Sequence, residues 1–470
     1  MFKALAGSFL LLASASTWAA SETVLRLDET LIATRQQHAP ELFALPLAVD
    51  ADLAHDGEWQ LQGETMQWHH DIVVAGAKAL ALEAEVLQLP AGATLTIGKQ
   101  SWQGPQTLHH VFTHHQPGTR LQLSATMPRA LSSGFVLRVV AVQAAFRNPY
   151  QAATAVTAKA GSSCSVNFAC AATGAVQQWG GSVVAIVVLN SATCTGTLMN
   201  NSSGDGRPYL LTAKHCYTST GGTDPVRAAA SLRVAWNAVA SCGAALASAW
   251  SSGTPITEGA THRAEYGDTW LVELKSRPSE ALAPWYAGFD AGDQIPSGQL
   301  VGLHNGQGLQ RQLLSTSSLP RLTRVAGFLG GIDLLGWGFN PQLGGAEAGS
   351  SGSGLFDPQG HLIGTLSTGS SCDLGAPQVT YARLSQAWSG DGTSSGSLRP
   401  WLDPLGSGTA VMGKSFTSAS LPTAPAPVQT PAAGAASEGG GGGAMGVSVS
   451  VLLLLAAMLR RKSLKTLAGG

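Results

Sequence analysis

Tyr209-Leu210-Leu211-Thr212-Ala213-Lys214-His215-Cys216 is an apolar run that ends in a histidine followed at once by a cysteine. Upstream, Cys194-Thr195-Gly196-Thr197-Leu198-Met199 is a second run, this one opening on a cysteine. Both read as short strands. A bridge between Cys194 and Cys216 would tie two neighbouring strands and pin His215 at the edge of its sheet. Around this pair, residues 160–412 hold all six cysteines and many short apolar runs separated by Gly/Ser clusters, such as 182–189 and 270–274. No helix is expected there before 397–402, and no fixed repeat period is present. The pattern predicts an all-β fold, a barrel or a pair of barrels.

Two further motifs follow in chain order. Tyr266-Gly267-Asp268-Thr269-Trp270-Leu271-Val272-Glu273-Leu274 sets a lone aspartate at the head of an apolar strand. Buried there, it would need a cationic or donor partner, and His215 is the candidate. Gly349-Ser350-Ser351-Gly352-Ser353-Gly354-Leu355-Phe356 is a glycine-rich turn running into a strand. It stands between Trp337-Gly338-Phe339 and the apolar run 362–366, which distinguishes it from a Ser/Gly linker. A serine hydroxyl attacks a peptide carbonyl only when a base removes its proton, and the base needs a carboxylate to fix its tautomer. Ser351, His215 and Asp268 fill these parts. The N–H groups of Gly349 and Ser351 are the expected oxyanion donors.

Taken in order, the three motifs resemble the chymotrypsin-fold serine proteases, most closely the bacterial lysyl endopeptidases, over most of residues 160–405. Cys164 and Cys170, the run Trp285-Tyr286-Ala287-Gly288-Phe289-Asp290 and Trp401-Leu402-Asp403-Pro404 carry the match to that branch. The resemblance implies two packed β-barrels with the reacting residues in the cleft between them. It also implies the disulfides Cys164–Cys372, Cys170–Cys242 and Cys194–Cys216, one of the 15 pairings that six cysteines allow. Two positions depart from the branch. Its pocket aspartate falls on Val379 and its pocket-wall histidine on Ser367, beside Thr368. Strict lysine selection is therefore not expected unless Asp373 supplies the charge, and Asp373 reads equally as a solvated turn residue. The aspartate that precedes the nucleophile in zymogens of the mammalian type is Ser350 here, so their salt-bridge switch is absent.

Outward from this domain, residues 1–20 read as a signal peptide: Lys3, an apolar core and a small-residue exit. Residues 21–159 are cysteine-free, with alternating segments at 79–86 and 134–142 that predict a small β-sandwich, similar to the propeptides of that branch. Lys159-Ala160 is the expected cleavage point, leaving the propeptide as a folding aid or a plug over the cleft. Residues 413–438 are a Ser/Thr/Pro/Ala linker. Residues 439–470 comprise five glycines, an uncharged run 444–459 and a basic end. They resemble a C-terminal sorting signal cut by an intramembrane protease, with permanent anchoring as the alternative. The chain is thus expected to be exported, held briefly in the inner membrane, and left at the cell surface or secreted.

A net charge of −1 with 12% charged residues excludes a nucleic-acid binder by electrostatics. No C-x-x-C pair supports zinc. The histidine pairs at 69–70, 109–110 and 114–115 read as solvated or pH-sensitive surface rather than metal ligands. The expected partners are protein or peptide substrates, the propeptide in cis and a sorting protease, with the chain itself a monomer. No cofactor is expected; a structural calcium ion is the one addition the reading leaves room for. An inactive protease-fold adhesin or binding module is the alternative function. An esterase is disfavoured by the missing Gly-x-Ser-x-Gly elbow.

Overall fold

Short strands, many joined by glycine turns, are the main element of the computed structural model, which describes residues 21–147, 165–250, 254–328, 332–370 and 378–417. Residues 1–20, Lys159, Ala160, Cys164, Cys372, Asp373 and everything beyond 417 lie outside these residues. Among the described residues no helix is long and apolar enough to cross a membrane.

Residues 21–147 form two facing sheets. One runs Glu22–Arg26, Thr65–Ala75, Arg120–Pro128, Thr94–Ile97, Gln100–Gln103, with Glu58–Gln62 beside Thr65–Ala75. The other runs Ala44–Asp52, Val136–Ala145, Ala79–Leu89, Gln106–Phe112. Period-two alternation sends every second residue inward. In Arg120–Pro128 these are Leu121, Leu123, Ala125 and Met127, packed with Leu82, Leu87, Leu137 and Val142 of the facing sheet. The helix Glu29–His38 buries no side chain. It is started by Asp28, whose Oδ1 accepts the N–H groups of Thr30 (2.8 Å) and Leu31 (3.2 Å).

The second half is all-β as well, two barrel sheets back to back. The first takes the order Ile256–Glu258, Arg233–Ala235, Val183–Val188, Ala192–Met199, Tyr209–Ala213, Thr269–Leu274, Ala260–Tyr266. Its core holds Ile186, Leu198, Leu210, Tyr217, Trp236 and Trp270. The second is built on Gln312–Thr316, Leu300–His304, Gly354–Phe356, His361–Gly369, Val379–Arg383, Ile332–Phe339 and Arg321–Phe328. The barrels meet through Leu211, Leu271, Leu303, Phe356 and Leu362, buried in one cluster. Cys194 and Cys216 are bonded, as are Cys170 and Cys242; the expected Cys164–Cys372 bridge lies outside the described residues. Chain packing continues past residue 412: Lys414–Ser415 pairs with Trp285–Tyr286, and Phe416 meets the Tyr286 ring.

Candidate active site

His215 stands where the strand Tyr209–Ala213 breaks into the helical turn His215–Thr218. Asp268 occupies the tight turn between Ala260–Tyr266 and Thr269–Leu274, a turn that Gly267 makes possible at φ +56°. Strand pairing brings them together, since Ala213 lies opposite Thr269 and the Lys214 N–H donates to the Asp268 carbonyl at 2.9 Å. The Asp268 carboxylate accepts twice from one residue. Oδ1 takes the His215 backbone N–H at 2.9 Å, and Oδ2 takes Nδ1–H at 2.8 Å. Both side chains are buried. The carboxylate thus fixes the ring's tautomer and turns Nε2 towards the cleft. Burial pulls the His215 pKa down, but the charge and hydrogen bond of Asp268, helped by Glu41, leave it raised overall.

Ser351 is half-buried and lines, with His215, a cavity of about 440 Å³. Its turn needs two glycines in the left-handed region, Gly349 at φ +91° and Gly352 at +81°. At Gly352 a Cβ would fall 2.1 Å from Thr212 Oγ1, so the first barrel leaves no room for one. Thr195, on a strand of that barrel, holds the turn from behind. Its N–H donates to the Ser351 carbonyl at 2.8 Å and its hydroxyl to the Gly349 carbonyl at 2.9 Å. The N–H groups of Gly349 and Ser351 make no hydrogen bond among the described residues.

The remaining cavity wall is Ala346, Glu347, Ala348, Leu366, Ser367, Thr368 and Gly369. Ser367 and Thr368 thus lie on the wall of the cavity shared by His215 and Ser351. Val379 does not reach the surface of the cavity. It is fully buried behind Ala346, in a cluster with Trp337, Phe339 and Tyr381, because it sits mid-sheet opposite Phe339 and Gly369. Asp373, Lys159 and Ala160 lie outside the described residues.

Sequence reasoning missed the residues that come to the cleft from far away. His38, Pro40 and Glu41 of the N-terminal domain line the same cavity. The segment behind them pairs on the first barrel: Phe43 N–H donates to the Ser191 carbonyl at 2.8 Å, and Thr193 N–H to the Glu41 carbonyl at 3.2 Å. Nothing in local spacing announces this. The histidine pairs need a correction too, since His70 and His115 are buried rather than solvated. His70 lies within hydrogen-bond distance of the Ser21 and Thr23 hydroxyls, and His115 packs edge-on to Phe43. Among the described residues no group of three potential metal ligands occurs.

Two packed barrels with this cleft define a domain of chymotrypsin-like fold. The family model described as lysyl endopeptidase, C-terminal domain, matches residues 158–381, which supports a protease. Solved structures similar to the chain include three at low identity. The active form of the Rv3671c protease from M. tuberculosis is 17% identical, covers 46% of this chain and 83% of its own, and has a TM-score of 0.32. A Glu endopeptidase bound to MPD is 13% identical, with coverage of 43% and 85% and a TM-score of 0.28. The scabies mite inactivated protease paralogue S-I1 is 16% identical, with coverage of 44% and 91% and a TM-score of 0.31.

Proposed function

We propose that the chain is the precursor of an exported serine endopeptidase that cleaves peptide bonds through Ser351, His215 and Asp268. The observation that carries this reading is His215, held by Asp268 at both its backbone N–H and its ring Nδ1, sharing a cavity with Ser351 on a turn whose N–H groups are uncommitted. In the reaction His215 Nε2 removes the Ser351 proton as Oγ attacks the carbonyl carbon. Asp268 steadies the imidazolium, and the N–H groups of Gly349 and Ser351 receive the oxyanion. Collapse passes the proton to the leaving amine and leaves an acyl-enzyme, which water hydrolyses by the same steps in reverse. Residues 21–159 cover the cleft until they are cut away, the cut falling at Lys159-Ala160. Export rests on the leader-like residues 1–20 and on the two disulfides. The test is peptide hydrolysis by the exported, processed protein beside Ser351→Ala, with the P1 profile of the digest reporting the charge of the pocket.

A further inference from the structure

Peptide hydrolysis by this route requires residues 349–351 to keep their N–H groups aimed at the cleft. Mammalian-type zymogens achieve this with a charged residue before the nucleophile; this chain has Ser350 there. Ser350 is fully buried, and its hydroxyl sits in a closed set of contacts. The Glu347 N–H donates to Ser350 Oγ at 3.0 Å, while the Ser350 N–H returns to the Glu347 carbonyl at 2.8 Å. Having accepted one proton, the hydroxyl donates its own, and the atom in line is His304 Nδ1 at 2.8 Å. The Gly306 N–H also points at Nδ1, from 3.3 Å, so this nitrogen carries a lone pair and the proton sits on Nε2. His304 is completely buried.

The loop after His304 carries the same hold to the peptide that matters. Gln307 N–H donates to the Ala348 carbonyl at 2.5 Å, fixing the Ala348–Gly349 peptide through its carbonyl while its N–H makes no hydrogen bond among the described residues. Flipping that peptide would break this bond and put a carbonyl where the oxyanion has to sit. Thr195 closes the circuit, because its hydroxyl accepts the Asn305 N–H at 2.9 Å while donating to Gly349. Space is matched as well: a Cβ on Gly306 would lie 2.9 Å from Ser350 Oγ.

We propose that His304 is a positioning residue for peptide hydrolysis, its Nδ1 holding Ser350 and thereby the oxyanion-binding turn through a neutral hydrogen bond in place of a charged switch. Burial pushes the ring's pKa down to about 4, in keeping with a neutral acceptor at working pH. The inference rests on the endopeptidase reading. It goes beyond it in naming a residue that never touches substrate.

The experiment is steady-state peptide hydrolysis by the processed protein, wild type beside His304→Leu, His304→Gln and Ser350→Ala. His304→Leu and Ser350→Ala should each lower kcat roughly 10- to 100-fold, less than or equal to the loss of one oxyanion donor, with KM within about twofold. His304→Gln, whose amide oxygen accepts the Ser350 proton, should recover part of that loss. The double variant His304→Leu/Ser350→Ala should be no worse than the poorer single one, because both remove the same bond. Should His304→Leu fail to fold, Ser350→Ala, which deletes one oxygen, carries the test alone. Wild-type kcat in folded Ser350→Ala or His304→Leu, with only thermal stability changed, overturns the inference and leaves the endopeptidase reading standing. A processed wild type that hydrolyses no peptide overturns both.

Discussion

His215 and Asp268 form a pair in which each half sets the chemistry of the other, and their replacement has a calculable direction. Asp268→Asn would present an amide N–H to one of the two donors now bound, favouring the wrong tautomer of His215. By the general behaviour of such pairs, kcat should fall about 10⁴-fold with the fold intact, measured as steady-state peptide hydrolysis. Activity also requires His215 neutral. Its pKa is lowered by burial and raised more by Asp268, with Glu41 adding only while the N-terminal domain is attached, so activity should fall as pH drops through a value above 6.5. The same sign governs stability. A histidine whose folded value is raised contributes fully below its unfolded value, and the contribution is lost as pH rises through the folded value. These three candidates could be proposed from the sequence because the signal is local: His215 beside Cys216, Asp268 in a glycine turn, Ser351 between glycines. Thr195 and His304 could not, since a threonine in a strand and a buried histidine acquire meaning only from what folds against them. His304 meets Ser350 across 46 residues of chain.

The segment between the helix Glu29–His38 and the strand Ala44–Asp52 lies against the cleft, since Pro40 and Glu41 line the cavity shared by His215 and Ser351. Leu42 forms an antiparallel bridge with Ala192 and is buried with Ala39 and Ala192. Arg147 braces the segment, donating to the carbonyls of Leu42 (3.0 Å) and Pro40 (2.8 Å). The pairing extends a sheet edge, the way a bound peptide strand would. Burial of one leucine is worth about 1.5–3 kcal/mol. Leu42→Asp in the uncleaved precursor should therefore open the cleft, raising the rate of fluorophosphonate labelling roughly tenfold or more. An unchanged rate would mean that the segment does not control access. Strands of the N-terminal domain were legible by alternation: the runs at 79–86 and 134–142 lie within or beside Ala79–Leu89 and Val136–Ala145. The helix was not, because it buries nothing and shows no apolar stripe; only Asp28 followed by Glu29 could have marked its start.

Between the two halves of residues 21–417 lies a contact that is apolar at its centre and charged at its margin. Phe43, Ala44, Ala79 and Ala145 pack on Ala185, Val187, Ala235 and Trp250. At the margin Arg227 binds Glu83, and His114 meets Glu258 at 2.5 Å. His115 is buried at this contact, its pKa pushed down to about 3 by burial, with Arg233 and His114 adding. A histidine held neutral in the contact and exposed after separation takes up its proton only in the separated state. Association is therefore unaffected above about pH 6.5 and weakens as pH falls below it. Glu258, raised by burial but lowered overall by His114 and Arg233, adds to the loss only in the carboxylate range. After cleavage the two halves should bind on the order of 100-fold more weakly at pH 4 than at pH 7, by calorimetry or gel filtration. His115→Phe should flatten that dependence. At this scale the all-β architecture was legible from glycine-punctuated apolar runs, whereas the docking of one half on the other was not. The alanines and the single Phe43 that make the contact look like any strand's inward face. The central claim is chemical, and the most direct measurement is mass-spectrometric analysis of a peptide library after digestion by the processed protein and by Ser351→Ala. We predict cleavage by the wild type and a loss of about 10⁶-fold in the variant. Equal cleavage by both, or none by a folded and processed wild type, would contradict the account.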